Sequence, residues 1–277
     1  MKRLFSMLLA LLVLPLAACG GSKADVPVTG GDVELTVFAA ASLQESLMEC
    51  GELYQKEHPN VALVFNFDSS GTLKTQIEEG AVCDIFISAG QKQMNQLDAA
   101  RPDVNTDGLD FAVSSSRFNL LENQVVLAVP EGNPAGIHSF DGLKAALETG
   151  DVLLAIGNRD VPAGQYAQEI FAYCGLDEAA LSAAGVLTYG SNVKEVATQV
   201  AEGTVDCGII YATDAYSAGL EVADTATADM CGQVAYPAAV MKHTAYYGAA
   251  LDFLTWLGAA NGGIPVFESA GFTEASE

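Results

Sequence analysis

The feature that most constrains the fold is an alternation of short apolar runs with amphipathic segments, which begins at Val33. The runs "VELTVFAA", "VALVFNF" and "CDIFIS" are nearly continuous in apolar and β-branched residues. Between them lie "SLQESLMECGELYQKEHP" and "GTLKTQIEEG", whose apolar residues have helical spacing. Apolar strands separated by helices are typical of parallel sheets covered on both faces. The sequence therefore predicts an α/β fold with mostly parallel sheets flanked by helices.

A second run of the same kind begins with "QVVLAVP" at Gln124 and ends with "TVDCGIIYA". The segment "EGAVCDIFIS" of the first run aligns without gaps with "EGTVDCGIIY" of the second. The chain of 277 residues also exceeds the usual size of one domain. We therefore predict two lobes of related build. Lobe 1 comprises residues 33–121 and 240–277, lobe 2 comprises residues 122–239, and hinge crossovers lie near 121–125 and 234–239.

The N-terminus has the pattern of a bacterial lipoprotein signal peptide. Met1, Lys2 and Arg3 precede a short apolar run that ends in "LAAC" at Cys19. We predict a signal peptide over residues 1–18, lipidation of Cys19 and a flexible Gly/Ser/Pro-rich tether over residues 19–32. The protein is then expected outside the cytoplasm, held to the cell membrane by lipid alone. The alternative is an ordinary secretory signal that happens to end in cysteine.

Charge and cysteine content exclude several classes of partner. The formal net charge of −23 disfavours nucleic acid and anionic lipid surfaces. Isolated histidines and the absence of a C-x-x-C pair disfavour a zinc site. Beyond Cys19 there are five cysteines, an odd number that leaves at least one thiol free or paired between molecules. One or two disulfides are compatible with the sequence, which does not assign them.

Four loops share one arrangement, in which a strand ends, a polar or glycine-containing loop follows and a helix begins. The carboxyl ends of parallel strands are where open α/β sheets bind ligands, and helix N-termini attract anions. The alternative is helix capping, since Ser42-x-x-Glu45 and Asn192-x-x-Glu195 both fit a capping box. No Ser-His-Asp set, G-x-S-x-G elbow or phosphate-binding G-x-x-x-x-G-K loop occurs, which disfavours a hydrolase and a nucleotide site. The residues at the four loops are Ser42, Ser70, Ala163 and Val193.

At these loops the sequence resembles the molybdate-binding proteins of ABC importers. The matching stretches are "TVFAAASL", "SSGTL", "IEEGAVCDIFISAGQKQM", "VPAGQYA", "DCGIIYATDA" and "FESAGFT", in that order over nearly all of the chain from residue 33. The resemblance implies a two-lobed fold of the periplasmic-binding-protein type, class II. It also implies an oxyanion held by two serines, two backbone amides and a tyrosine, which on matching positions are Ser42, Ser70, Ala163, Val193 and Tyr211.

The sequence departs from the family pattern at two features. Gly71 stands where many relatives carry a third hydroxyl residue, and the cysteines do not belong to the motif. The match at Val193 is the shortest.

These residue types suit a fully deprotonated oxyanion. Molybdate and tungstate are tetrahedral dianions whose oxygens only accept hydrogen bonds, so hydroxyls and backbone N–H groups are suitable partners. Phosphate keeps a proton that needs an acceptor, and a donor-only pocket leaves that proton unpaired. Sulfate differs chiefly in size. Lys74, Arg159 and Lys194 lie near the loops and are alternative ligand contacts or solvent-facing charges.

We expect an extracytoplasmic solute-binding protein that delivers molybdate, and probably tungstate, to an ABC permease with a cytoplasmic ATPase. It is expected to act as a monomer, without catalysis and without a cofactor, and to hold molybdenum only as the oxyanion. The alternatives are a receptor for sulfate or another tetrahedral oxyanion, a lipoprotein oxyanion sensor and, last, an enzyme.

Overall fold

The computed structural model describes residues 33–275, which contain eleven strands and eleven α-helices. The predicted signal peptide, Cys19 and the tether lie outside the described residues. The strands are β1 (Val33–Ala40), β2 (Val61–Asp68), β3 (Ile85–Ile87), β4 (Phe118–Asn123), β5 (Val125–Val129), β6 (Leu154–Gly157), β7 (Leu187–Gly190), β8 (Cys207–Tyr211), β9 (Glu221–Thr225), β10 (Val234–Val240) and β11 (Thr273–Glu274). The helices are α1 (Gln44–Glu57), α2 (Ser70–Glu78), α3 (Gln91–Leu97), α4 (Phe140–Thr149), α5 (Pro162–Cys174), α6 (Glu178–Ala184), α7 (Val193–Ala201), α8 (Ala212–Ser217), α9 (Ala228–Cys231), α10 (Tyr247–Leu257) and α11 (Ile264–Ser269).

The strands form two sheets. The first has the order β11-β4-β10-β3-β1-β2, and the second has the order β7-β6-β8-β5-β9. In the first sheet β1 is parallel to β2 and β3, and in the second β6 is parallel to β7 and β8. All other pairs are antiparallel.

The predicted α/β class is confirmed, but both sheets are mixed rather than mostly parallel. The sequence pattern missed this because a buried apolar run looks the same whichever way its strand runs. The strands that run against the others are β10 and β11 in the first sheet and β5 in the second. Of these, β5 and β10 each follow a passage of the chain between the sheets. Their direction follows from these connections rather than from their composition.

The chain passes from the first sheet to the second through Gln124 alone, between β4 and β5. It returns within residues 226–233, so β10, at residues 234–240, lies in the first sheet along its whole length. The division into two lobes that move about these connections stays a prediction.

Local sequence explains the helix that faces the cavity from the second sheet. Helix α5 begins with Pro162, whose fixed φ suits the first helical position, and ends at Gly175, which has a φ of 70°. Near its start, a Cβ on Gly164 would lie 2.2 Å from the carbonyl oxygen of Gly157. Only glycine therefore allows α5 to begin directly against the end of β6.

The parallel strands of both sheets point their carboxyl ends at one place. Ala40 and Asp68 end β1 and β2, and Tyr211 ends β8. All three line the same small cavity, as does Ala89, two residues after β3. The fold thus brings the strand ends of the two sheets face to face, as expected for a ligand site in α/β proteins.

Candidate functional site

A small cavity lies where these strand ends and three helix N-termini meet. It encloses about 200 Å³ of space free of protein atoms, part of which is open to solvent. The part of it that the centre of a water molecule can occupy is only about 10 Å³, far below the 300–1,000 Å³ of sites for drug-sized ligands, so it admits only a very small guest. Its lining residues are Ala40, Ala41, Ser42, Asp68, Ser69, Ser70, Ala89, Val161, Pro162, Ala163, Val193 and Tyr211.

All five residues that the resemblance implies as ligands line this one cavity. Ser42 lies in a short 3-10 turn after β1, and Ser70 is the first residue of α2. Ala163 and Val193 lie at the starts of α5 and α7, and Tyr211 ends β8. These positions are up to 169 residues apart in the sequence, counting from Ser42 to Tyr211. Their ligand roles stay a prediction, which their convergence supports.

The hydroxyl of Ser70 is held by a backbone donor. The N–H of Ala89 donates to Ser70 Oγ at 2.9 Å, and Ser70 is fully buried. The neighbouring Ser69 caps α2 instead, since its Oγ accepts from the N–H of Thr72 at 3.1 Å. The two serines thus have separate tasks, and the hydroxyl proton of Ser70 is free to point into the cavity.

Ser42 is not a helix cap, so the capping alternative is wrong at this position. No side-chain hydrogen bond caps the 3-10 turn or α1. Ser42 Oγ lies 3.0 Å from the hydroxyl of Tyr236, and Glu45 pairs with Lys194 instead of closing a capping box. Ser42 therefore presents its hydroxyl at the cavity.

The capping alternative is correct at Asn192. Its side-chain oxygen accepts from the N–H of Glu195 at 3.0 Å. The Glu195 carboxylate accepts from the N–H and hydroxyl of Ser191, which lowers the pKa of Glu195. This cap defines the start of α7 and leaves the N–H of Val193 at the cavity.

The two predicted backbone donors are unengaged. Pro162 has no N–H, so the N–H of Ala163 is the first of α5. Across residues 33–275, no hydrogen bond uses the N–H of Ala163 or Val193. First-turn amides without intrahelical partners are the groups that bind anions at helix N-termini.

Tyr211 lines the cavity, but its hydroxyl already has an acceptor. It donates to the carbonyl of Ala89 at 3.1 Å. Burial, together with the charges of neighbouring acidic groups, raises the pKa of Tyr211 well above its usual value, so it stays protonated. To donate to a guest, this hydroxyl must leave the Ala89 carbonyl.

Besides the hydrogen bond from Tyr211 to Ala89, two further contacts join the elements on opposite sides of the cavity. The N–H of Gly71, in α2, donates to the carbonyl of Asp160 at 3.0 Å. Lys194 Nζ, in α7, lies 2.6 Å from a carboxylate oxygen of Glu45, in α1. The Asp160 carbonyl occupies the space that a side chain at Gly71 would need, which accounts for glycine at this position.

The basic side chains that lie near the loops do not line the cavity. Lys74 pairs with Glu78 at 2.7 Å, Lys194 pairs with Glu45, and Arg159 is exposed. No lysine or arginine occurs among the twelve lining residues. A bound anion would therefore meet hydroxyl and backbone dipoles rather than a fixed positive charge.

Asp214 is an unusual buried carboxyl group next to the site. It is 1% exposed, and neither carboxylate oxygen has a hydrogen-bond partner among the described residues. The nearest cation is Lys194, 3.6 Å away. Burial raises the pKa of Asp214 to about 7; Lys194 lowers it in part, and Glu45 raises it further.

The comparison with known families decides the class of this protein. Residues 35–273 match the family described as bacterial extracellular solute-binding protein. The chain belongs to that family.

Two relatives carry similar sequences over most or nearly all of their length. The putative ABC transporter substrate-binding lipoprotein YvgL of Bacillus subtilis (strain 168) is 31% identical over 277 residues, 99% of each chain. The molybdate-binding protein ModA of Haemophilus influenzae (strain ATCC 51907 / DSM 11121 / KW20 / Rd) is 33% identical over 248 residues, which cover 87% of this chain and 88% of that one.

A solved structure extends the likeness to three dimensions. The substrate binding domain of a putative molybdenum ABC transporter from Clostridium difficile is 34% identical, with a TM-score of 0.63. The match covers 88% of this chain and 100% of that chain. The predicted fold, the solute-binding role and the resemblance to molybdate-binding proteins are thus confirmed.

Sequence reasoning missed three polar residues of this solute-binding site. Asp68 lines the cavity, and one of its carboxylate oxygens accepts from the N–H of Ser69 at 2.7 Å. Tyr236 and Asn123 form a hydrogen-bond chain behind Ser42. Asp68 lies directly before the quoted "SSGTL", so it could have been predicted from the sequence. Tyr236 and Asn123 gave no local signal, because their partners are distant in the chain.

The five cysteines of residues 33–275 form no disulfide. Cys50, Cys83, Cys174, Cys207 and Cys231 are all unpaired, and only Cys174 is not fully buried. Residues 33–275 contain no group of three or more His, Cys, Asp or Glu side chains arranged to hold a metal ion. Within the same range, no helix is both long and apolar enough to cross a membrane.

Proposed function

We propose that this solute-binding protein captures molybdate, and also tungstate, in the cavity at Ser42 and Ser70. The observation that carries the proposal is the set of hydrogen bonds that the two serine oxygens form. Ser70 Oγ accepts from a backbone N–H, and Ser42 Oγ is bonded to a tyrosine hydroxyl. The proton of Ser70 is therefore available to a guest whose oxygens only accept, and that of Ser42 is available when its oxygen accepts from the tyrosine.

The donor set accounts for useful affinity without a basic side chain. Two serine hydroxyls, two backbone N–H groups and the Tyr211 hydroxyl make five donors. At about 1.5–3 kcal/mol for each hydrogen bond to a charged group, they supply roughly 8–15 kcal/mol before costs. Immobilising the anion and bringing the two sides together subtracts several kcal/mol, which leaves a Kd of about a micromolar.

Asp68 favours a second candidate, a receptor for a protonated oxyanion such as hydrogen phosphate. A carboxylate at the cavity can accept the proton of that guest, whereas it repels a fully deprotonated one. One of its oxygens is already occupied by the N–H of Ser69, which reduces its capacity to accept. Sulfate stays a competitor of the same charge as molybdate, distinguished by its smaller size.

The wider role follows the names of the relatives. They include an ABC transporter substrate-binding lipoprotein and molybdate-binding proteins, which supports delivery of the oxyanion to an ABC permease with its ATPase. We further propose that lipidated Cys19 anchors the protein at the outer face of the membrane as a monomer. On this proposal the chain performs no catalysis and needs no cofactor.

Calorimetric titration of the Ser42→Ala/Ser70→Ala double variant tests the site. Molybdate affinity should fall by more than about 2 kcal/mol, or roughly 30-fold, because two charge-assisted bonds are lost. The control is Ser46→Ala/Ser116→Ala, which removes two buried hydroxyls that donate to backbone carbonyls outside the cavity. Unchanged molybdate binding in the first double variant contradicts the proposed site.

The same titrations with wild-type protein separate the candidate guests. Molybdate and tungstate should bind more tightly than sulfate or phosphate. Tighter binding of phosphate, abolished by Asp68→Asn, would establish the second candidate instead.

A further inference from the structure

We propose that Tyr236 and Asn123 are positioning residues that direct the hydroxyl proton of Ser42 into the cavity and so make the site selective for oxyanions without a proton. This inference rests on the proposed function, because it takes Ser42 to be a ligand. It adds two residues that do not line the cavity.

The chain of hydrogen bonds begins at the backbone N–H of Gln124, which can only donate. It donates to Asn123 Oδ1 at 2.8 Å, and this contact determines which way the amide faces. Asn123 Nδ2 therefore faces the interior, where it donates to the hydroxyl of Tyr236 at 3.2 Å and to Thr213 Oγ1 at 2.9 Å.

The direction of the next bond follows from the number of protons on Tyr236. Its hydroxyl accepts from Asn123, so its single proton must find another acceptor. Among the described residues the other hydrogen-bond partner of this hydroxyl is Ser42 Oγ, at 3.0 Å. Tyr236 is 0% exposed, and a buried donor left unpaired is costly, so the Tyr236 proton goes to Ser42.

Ser42 then has its own proton left, with the cavity beside it. Ser70 reaches the same state by a separate route, since the N–H of Ala89 occupies its oxygen. Both serines are thus oriented as donors by groups behind them. A guest that only accepts satisfies both, whereas the proton of a protonated guest finds each serine oxygen with one of its two acceptor positions already used.

The structure holds Tyr236 firmly in place. Its ring packs against those of Tyr211 and Phe272, with centroid distances of 5.7 and 5.4 Å. The strand register shifts between Tyr236 and Pro237, and such bulges redirect side chains. Burial raises the pKa of Tyr236 well above its usual value, so the hydroxyl keeps its proton near neutral pH.

The hydrogen-bond chain from Asn123 through Tyr236 to Ser42 is called the relay below. Tyr236→Phe, made with and without Ser42→Ala, tests it by calorimetry with molybdate. The phenylalanine keeps the ring contacts and removes the hydroxyl. It should weaken molybdate binding about fivefold when Ser42 is present, since one neutral hydrogen bond no longer orients the serine. In the Ser42→Ala background the same change should have less than about a twofold effect, because the residue acts through Ser42. Equal losses in both backgrounds, or no loss, overturn the proposal.

Tyr54→Phe is the matched control. Tyr54 is likewise buried and packed against aromatic rings, but its hydroxyl donates to Asp252 at 2.7 Å, away from the cavity. This variant should bind molybdate as the wild type does.

Asn123→Asp provides a second variant that reverses the relay. An aspartate accepts from Tyr236, so the tyrosine then accepts from Ser42 and draws the serine proton out of the cavity. Molybdate affinity should fall more than in Tyr236→Phe. Most of that loss should disappear in the Ser42→Ala background, where only the added charge acts. A loss that is the same in both backgrounds contradicts the relay.

A measurement without ligand separates this inference from the proposed function. In the free protein, NMR should show a slowly exchanging Tyr236 hydroxyl proton with a nuclear Overhauser effect to the β protons of Ser42. Such a signal in a protein that fails to bind molybdate supports the relay and rejects the proposed function. A rapidly exchanging hydroxyl proton without that contact overturns the relay.

Discussion

Replacing Gly71 by alanine should separate oxyanion binding from folding stability. Gly71 is the second residue of α2, and its N–H donates to the Asp160 carbonyl across the cavity. A Cβ at this position would lie 2.2 Å from that carbonyl oxygen and 2.8 Å from Asp160 Cα. Contacts this short require the two sides of the cavity to move apart.

The expected loss of molybdate affinity in Gly71→Ala is the sum of two energetic costs. Overpacking a well-packed contact costs about 1–3 kcal/mol. Loss of the hydrogen bond between Gly71 and Asp160 adds about 1 kcal/mol. If the oxyanion is bound only when the two sides meet, molybdate affinity should fall between about 30-fold and 1,000-fold. The free protein can relax by separating, and alanine favours a helix over glycine by up to about 1 kcal/mol.

The assay combines calorimetry with thermal unfolding of the ligand-free protein. Gly71→Ala should bind molybdate far more weakly while its melting temperature stays unchanged or rises. Gly248→Ala is the matched control, because Gly248 is also the second residue of a helix but has open space around its Cβ position. If Gly71→Ala binds molybdate within threefold of the wild type, the reasoning about closure across this contact is wrong.

Two further predictions concern buried titratable groups. The raised pKa of Asp214, about 7, means that the folded protein keeps a proton that the unfolded chain releases, so stability falls as pH rises from about 4 to 7. Asp214→Asn removes this pH-dependent loss. In urea unfolding, the stability of the variant relative to the wild type should increase by about 2–3 kcal/mol between pH 5 and pH 8. Parallel pH profiles of the two proteins would contradict this. Burial raises the pKa of the Cys50 and Cys207 thiols to about 12. A thiol-reactive disulfide reagent at pH 8 should therefore modify the partly exposed Cys174 first and the four buried thiols only on unfolding; rapid reaction of all five in the folded protein would refute it.

Much of the fold could be predicted because its signals are local. The quoted run "VELTVFAA" coincides with β1, and the glycine after "AQEIFAYC" ends α5 with a positive φ. Strand–loop–helix junctions also indicated where the cavity would lie, since Ser42 and Ser70 are each the second residue after a strand. Strand direction could not be predicted in the same way, because burial and β-branching are independent of it.

The sequence by itself determined the α/β class, the order of the elements and the hydroxyl-bearing junctions, since each depends on residues within one or two turns of each other. Only the tertiary structure decided which groups donate and which accept. Ser42 meets Tyr236 across 194 residues of chain, and Asn123 meets the same tyrosine across 113. The direction of a hydrogen bond depends on all partners of both groups, and these partners meet only when the two sheets are assembled. The same holds for Gly71. Only glycine fits at this position, because the Asp160 carbonyl on the opposite side of the cavity leaves no space for a side chain.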